Sequence, residues 1–252
     1  MLFRSYVPGA PLREFVEDFR LYENYSGKHQ RERILPSGTF ELVFNLRHDE
    51  LRIYGASQGG ECRRFSGGLI SGPYAGSFMT DTAEEASILG VHFRPGGAFA
   101  FLGLPAGDFA DRHVDLTAVW GPAASELRER LCASSTPTER FALLEQALMA
   151  RLSDPPVCHG AVRSALGLLM RTHGRAKVRD VAKVVDLSQR RLIEVFTTEV
   201  GLAPKRFGRV QRFQRALALS RSATTLDWSE LAVDCGYYDQ SHLIRDSSRS
   251  PA

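Results

Sequence analysis

The stretch Ala182-Lys183-Val184-Val185-Asp186-Leu187-Ser188 places a small residue, four positions later a residue able to adopt the left-handed backbone, then an apolar residue and a serine. This spacing fits two short helices crossing at a tight turn. The small residue lets them approach, and the serine oxygen caps the free N–H groups of the second helix. Glycine is commonest at the turn; Asp186 occupies it because a short polar side chain tolerates that region at some strain. The flanking segments VRDVAKVV (178–185), SQRRLIEVFTTEV (188–200) and PKRFGRVQRFQRALALS (204–220) read as helices.

The unit occurs twice. Fifty residues on, Ala232-Val233-Asp234-Cys235-Gly236-Tyr237 repeats the spacing with glycine in the turn, and LIEVF (192–196) aligns with LIRDS (243–247). Asp239-Gln240-Ser241 is a helix start. The match fails at Ser247, where the first copy has Phe196, and SSRSPA (247–252) neither packs nor favours helix. Two helix-turn-helix units joined by an amphipathic helix over Ala203–Ser220 form a tandem reader of double-stranded DNA.

Charge supports that partner. Between Arg171 and Arg221 stand thirteen Lys or Arg against four acids, a surplus of nine within a chain of net charge +3, so the remainder is negative by six. A basic block on an acidic remainder is the electrostatic footprint of a module that neutralises phosphates.

Two textures meet near Asp154-Pro155-Pro156, which predicts one domain over 1–155 and a second over 156–252. Before the prolines, β-prone runs at 33–35, 40–46, 51–55, 68–72 and 88–93 alternate with turn residues. Helices are expected at about 98–102, 122–132 and 136–152, the last with Phe141, Leu144, Leu148 and Leu152 at helical spacing. The fold class is α+β, a small antiparallel sheet or barrel plus helices, followed by an all-α tandem helix-turn-helix domain that opens with a helix over Ala161–Thr172, ended by Gly174.

From about Val178 to Asp246, most densely in DLSQRRLIEVFTTEVGLAPKRFGRVQRFQRAL (186–217) and ELAVDCGYYDQSHLIRD (230–246), the chain resembles the AraC-type family of bacterial transcription regulators. The resemblance implies two helix-turn-helix units bridged by a linker helix, each placing one helix in the major groove. Members usually continue with Phe-Arg or Phe-Lys, a glycine, a Thr-Pro and a closing helix. SSRSPA stands there instead, which implies a truncated or frameshifted carboxyl terminus. LPSGTFELVFNL (35–46), GVHFRPGGAFAFLGLPA (90–106) and DLTAVWG (115–121) are similar to an uncharacterised domain that often precedes such halves and serves as a sensor or dimerisation module. The further partners implied are an unidentified small-molecule effector, RNA polymerase and a second copy of the chain.

In the first recognition helix Leu192, Val195 and Phe196 face the core, leaving Gln189, Arg190, Ile193, Glu194 and Thr197 towards the groove. Arg190 suits guanine O6 and N7, Ile193 a thymine methyl and Glu194 a cytosine N4, although Glu194 equally suits an ion pair with Arg190. Arg191, by its angle, suits phosphate. The second helix offers Gln240, Ser241, His242 and Arg245, with Asp239 as cap. Lys205, Arg206, Arg209 and Arg212 suit the DNA backbone or the linker helix, contacts that orient without reading sequence. Two docked units read successive major grooves roughly 34 Å apart on an asymmetric site.

Other chemistry is thinly represented. There is no Walker loop, no G-x-S-x-G and no H-E-x-x-H, so no enzyme and no cofactor is expected. His29, His48, His92 and His113 lack metal-ligand spacing, and HFRPGG (92–97) reads as a strand-to-helix turn rather than an anion site. Cys62, Cys132, Cys158 and Cys235 form no C-x-x-C pair and are read as structural thiols. Arg4 and Pro8 interrupt any signal peptide and no run of about 18 apolar residues occurs, so a cytoplasmic, non-membrane protein is expected. The rival readings are a protein-interaction module with impaired DNA binding that pairs with an intact regulator and, more remotely, an amino-terminal small-molecule enzyme on a DNA tether.

Overall fold

The computed structural model describes residues 2–25, 29–55, 60–82, 86–152, 158–222 and 227–241. Ten strands occupy the amino-terminal part: β1 (Leu2–Tyr6), β2 (Val16–Tyr25), β3 (Arg31–Ile34), β4 (Glu41–Asn45), β5 (Glu50–Tyr54), β6 (Cys62–Ser66), β7 (Gly68–Ser71), β8 (Phe78–Asp81), β9 (Ala86–Phe93) and β10 (His113–Asp115). They form an antiparallel six-stranded sheet in the order β1-β2-β9-β4-β7-β10 and a four-stranded sheet in the order β3-β8-β5-β6. The five strand segments legible in the sequence are all present. Those missed, β1, β2, β6, β8 and β10, carry charges or lack a clean alternation. β2, VEDFRLYENY, is the clearest case, because register shifts between Val16 and Asp18 and between Tyr22 and Tyr25 break its period of two.

Alternation splits the large sheet into two faces. Leu42 and Phe44 of β4 and Leu89, Val91 and Phe93 of β9 are buried in the main core. That core is covered by α1 (Phe99–Leu102), α2 (Leu116–Trp120), α3 (Pro122–Ala133) and α4 (Pro137–Arg151), which contribute Leu116, Leu131, Leu144 and Leu148. A capping box starts α4: Thr136 Oγ1 accepts from the Glu139 N–H at 3.2 Å while Glu139 Oε2 accepts from the Thr136 N–H at 3.1 Å. The opposite face, with Glu41, Val43, Gly90 and His92, lines a cavity shared with the small sheet.

The rest is helical: α5 (Gly160–Arg171), α6 (Val178–Val184), α7 (Gln189–Val200), α8 (Pro204–Ser222) and α9 (Trp228–Asp234). Val162, Leu169, Val181, Leu192, Phe196 and Phe207 form a second core. Gly174, at φ +72°, donates to the Leu169 carbonyl at 2.7 Å and closes α5. A Cβ there would lie 1.9 Å from the Gly208 carbonyl oxygen, so only glycine lets this turn touch α8. Among the described residues no helix is long and apolar enough to cross a membrane, and no group of three His, Cys, Asp or Glu is placed to hold a metal ion.

Candidate nucleic-acid interface

The two turns share one hydrogen-bond pattern. Leu187 donates to the Ala182 carbonyl at 3.0 Å and Tyr237 to Ala232 at 2.9 Å; Asp186 donates to Lys183 at 3.3 Å and Gly236 to Val233 at 2.9 Å. Ala182 and Ala232 are both buried, and the turn residues are left-handed, Asp186 at φ +53° and Gly236 at φ +79°. Serine 188 caps α7 by accepting from the Arg191 N–H at 3.2 Å. Because Asp186 holds a conformation that costs an L residue free energy, Asp186→Gly is expected to stabilise the protein by about 0.5 kcal/mol after the entropy glycine loses on folding. A urea midpoint that falls instead would show that the carboxylate contributes more than the strain removes.

Helix α7 buries Leu192, Val195, Phe196, Glu199 and Val200 and turns Gln189, Arg190, Arg191, Ile193 and Glu194 to solvent. Ile193 is 43% exposed, a large apolar side chain at the centre of a charged face. Two details differ from the sequence reading. Glu194 pairs with Arg191, at 2.9 Å, rather than with Arg190, because i,i+3 geometry brings those two ends together. Thr197 does not face outward: its methyl would lie 3.0 Å from a Cβ at Gly107, in the 3-10 turn Ala106–Phe109, and its hydroxyl is buried.

The cations of α8 separate into different tasks. Lys205 is exposed on a groove of about 340 Å³ that it shares with Gln189, Arg175, Lys177, Arg179 and Arg212. Arg175, Lys177 and Arg179 precede and open α6, and sequence reading counted them only as part of the basic block. Arg206 pairs with Asp111 of the sheet domain. Arg212 donates to the Gly174 carbonyl at 3.2 Å and lies 5.6 Å from the centre of the Tyr237 ring, tying the two units together; Arg209 is half-buried. In the second unit Asp239, Gln240 and Ser241 are exposed and a helix begins at Gln240, while His242, Arg245 and Ser247 lie outside the described residues.

The reader is seated on the sheet domain through the end of α7 and the start of α8. A Cβ on Gly201 would lie 2.5 Å from Pro73, and Gln214 donates to the Pro36 carbonyl at 2.6 Å. Asp111 bridges the contact, accepting from the Ala75 N–H at 2.9 Å as well as from Arg206.

Between the two sheets lies a cavity of about 650 Å³. Strand register sets His92, Glu41, Ser71 and His113 side by side across β9, β4, β7 and β10. His92 Nδ1 is 3.2 Å from Glu41 Oε1. Burial alone would raise the Glu41 carboxyl, but its hydrogen bond to His92 and the nearby His92 and Arg20 hold it below the usual range. Burial, with Arg63 adding to it, lowers His113 from 6.5 to about 4 and leaves the ring neutral. Burial raises Tyr74, so its hydroxyl stays protonated. Tyr74 Oη lies 2.5 Å from His113 Nδ1 and Ser71 Oγ 3.3 Å from its Nε2, so the neutral ring bridges the two hydroxyls. Three of the four histidines singled out in the sequence, His48, His92 and His113, line this cavity.

The His113 environment has a pH signature. The unfolded ring takes up a proton near pH 6.5 and the folded ring only near 4, so stability is full above 6.5 and falls as pH drops through that window. At pH 5 the loss is expected to be about 2 kcal/mol, read as a lower urea midpoint, and His113→Gln should flatten the slope. An unchanged slope in that variant would assign the pH dependence elsewhere.

Comparison with known proteins gives two family matches. Residues 4–115 match a domain of unknown function, DUF6597, and residues 181–250 match a helix-turn-helix domain. No curated protein matches. Among solved structures, ToxT of Vibrio cholerae strain SCE256 with unsaturated fatty acid bound aligns at TM-score 0.47 and 7% identity over 90% of this chain and 89% of that one. ToxT of Vibrio cholerae O395 aligns at 0.45 and 9%, over 90% and 92%, and the AraC-like transcriptional activator CuxR at 0.27 and 12%, over 88% and 89%. These likenesses are too distant to place any residue. The family match over the two turns, with their shared hydrogen bonds and exposed basic helix face, is what decides: the chain carries a helix-turn-helix domain over residues 181–250, after a domain of unknown function over 4–115, and is a DNA-binding transcription regulator.

Proposed function

We propose that α7 enters the major groove and that the residues to about 155 form a sensor domain whose cavity holds an effector. The carrying observation is the outward face of α7, where Gln189, Arg190, Ile193 and Glu194 stand together beside the groove of cations at Arg175, Lys177, Arg179 and Lys205. Arg190 reads guanine, Ile193 meets a thymine methyl, and Arg191, held by Glu194, reaches phosphate. Gln240, Ser241, His242 and Arg245 are the corresponding candidates in the second unit. Arg206 and Arg212 serve the protein's own packing, and Arg209 supports the linker helix.

The effector reading rests on the cavity between the two sheets and on its physical continuity with the reader. Ser71, His113 and Tyr74 line up from the cavity to residues 73–75, and that segment meets Gly201 and, through Asp111, Arg206. A ligand that moves this segment changes how α7 is held. RNA polymerase and a second copy of the chain are the further partners proposed, inside the cytoplasm.

The test is a titration of the purified protein against DNA from upstream of its own coding sequence at several salt concentrations. With about five phosphates neutralised, log affinity should fall with log salt at a slope near −4.5. A flat response from low to physiological salt would count against a phosphate-contacting interface.

A further inference from the structure

The charges around the cavity say what kind of molecule it fits. Four carboxylates line it, Glu32, Glu41, Glu50 and Asp81, against one guanidinium, Arg52. Glu50 and Asp81 are accounted for: Arg52 Nε is 2.5 Å from Glu50 and its NH1 nitrogen 3.6 Å from Asp81, while Arg64 adds a contact to Glu50 at 3.1 Å. Glu41 and Glu32 are different. Glu41 has His92 as its bonded partner, and the nearby Arg20 is itself bonded to Asp18 at 3.0 Å. Glu32 accepts from the Tyr25 hydroxyl. Among the described residues neither carboxylate is bonded to an arginine or lysine, one standing on each sheet across the same cavity.

The space between them is apolar. Val43, Leu69 and Ile88 rise from the large sheet, and Ile34, Ile53 and Phe78 face them from the small one. Gly90 sits in the middle of the large sheet's cavity face, between Val43 and Arg20 in register, and contributes no side chain to fill it. A carboxylate partly withdrawn from water at the edge of an apolar surface is stabilised by an opposite charge more than in bulk water, and a second anion brought beside it is repelled. The volume, about 650 Å³, suits a drug-sized molecule.

We propose that the cavity binds an apolar or aromatic molecule carrying one cationic nitrogen, an ammonium or amidinium group seated against Glu41 with Ser71 beside it. This rests on the reading of the cavity as the effector site. Ser71 can serve a neutral hydroxyl as well, so the carboxylate supplies the discrimination and the apolar walls supply the remaining affinity.

Calorimetric titration of the full chain tests this with two matched probe sets: tryptamine, tryptophol and indole-3-acetate, and hexylamine, hexanol and hexanoate. In at least one set the amine should bind at least tenfold tighter than its alcohol, with the carboxylate weakest. Glu41→Gln should cost the amine about tenfold and change the alcohol less than twofold. Gly90→Leu, whose Cβ finds ordinary contact distances, 3.4 Å to His92 Nε2 and 3.7 Å to the Leu42 carbonyl oxygen, should fill the cavity and abolish both. A carboxylate binding as tightly as its amine, and lost in Gly90→Leu, would overturn the cationic specificity while leaving the cavity as the effector site. Amine binding indifferent to Gly90→Leu would overturn both, and no saturable amine binding up to millimolar concentration would overturn the cationic class.

Discussion

Phe196→Ala is expected to unfold the DNA-reading half of the protein. The ring is fully buried, packs edge-on against Phe207 with centroids 5.7 Å apart, and belongs to the core that joins α5, α6, α7 and α8. Truncating a buried phenylalanine costs about 3–5 kcal/mol in lost transfer energy and residual cavity, a large share of the stability of a typical domain. DNA binding should vanish with the near-ultraviolet signal of this half. The sheet domain has its own core around Phe19, Phe44 and Leu144, so amine binding in its cavity should survive. Retention of DNA binding at full strength would show that α7 is not held by this core in the way the packing describes.

The second large effect separates recognition from folding. Arg190 is exposed and its replacement removes no buried contact, so Arg190→Ala should leave the melting temperature within a degree or two. Loss of one bidentate base contact costs about 1–3 kcal/mol, which is roughly 5- to 150-fold in affinity for the specific site, with little change on unrelated DNA. Lys205→Ala should behave in the opposite way, weakening specific and non-specific binding alike and reducing the salt slope by about one unit. An Arg190→Ala variant that weakens both kinds of DNA equally would make Arg190 a phosphate contact.

Much of this is legible in the sequence alone. The helix-turn-helix spacing fixes backbone conformation over a few residues, so Ala182, Asp186 and Ser188 could be assigned to packing, turn and cap by local chemistry alone, and the structure places each of them so. The exposed face of α7 followed from helical period for the same reason. What stayed hidden depends on contacts distant in sequence. Thr197 has the outward period of its neighbours, but Gly107, ninety residues earlier, covers it. Arg206 looks like any basic residue on α8 until Asp111 is brought beside it. The cavity had a faint signal in the alternation Glu41, Val43, Asn45 and Ile88, Gly90, His92, which marks a second face to those strands. Only strand order brings His92, Glu41, Ser71 and His113 into one row. The charged, irregular strand β2 carried almost no period-two signal, so neither the width of the large sheet nor the partner of β9 was readable.

The reading of α7 as the base-contacting element is tested most directly by one fluorescence-anisotropy experiment. The full chain and Arg190→Ala are titrated against labelled upstream DNA and against a scrambled duplex of the same composition at fixed, near-physiological salt. The expected result is a specific complex for the full chain that loses between roughly 5- and 150-fold in affinity in the variant, while scrambled-duplex binding is unchanged. Equal affinity of both proteins for the upstream DNA, with both folded, would contradict it.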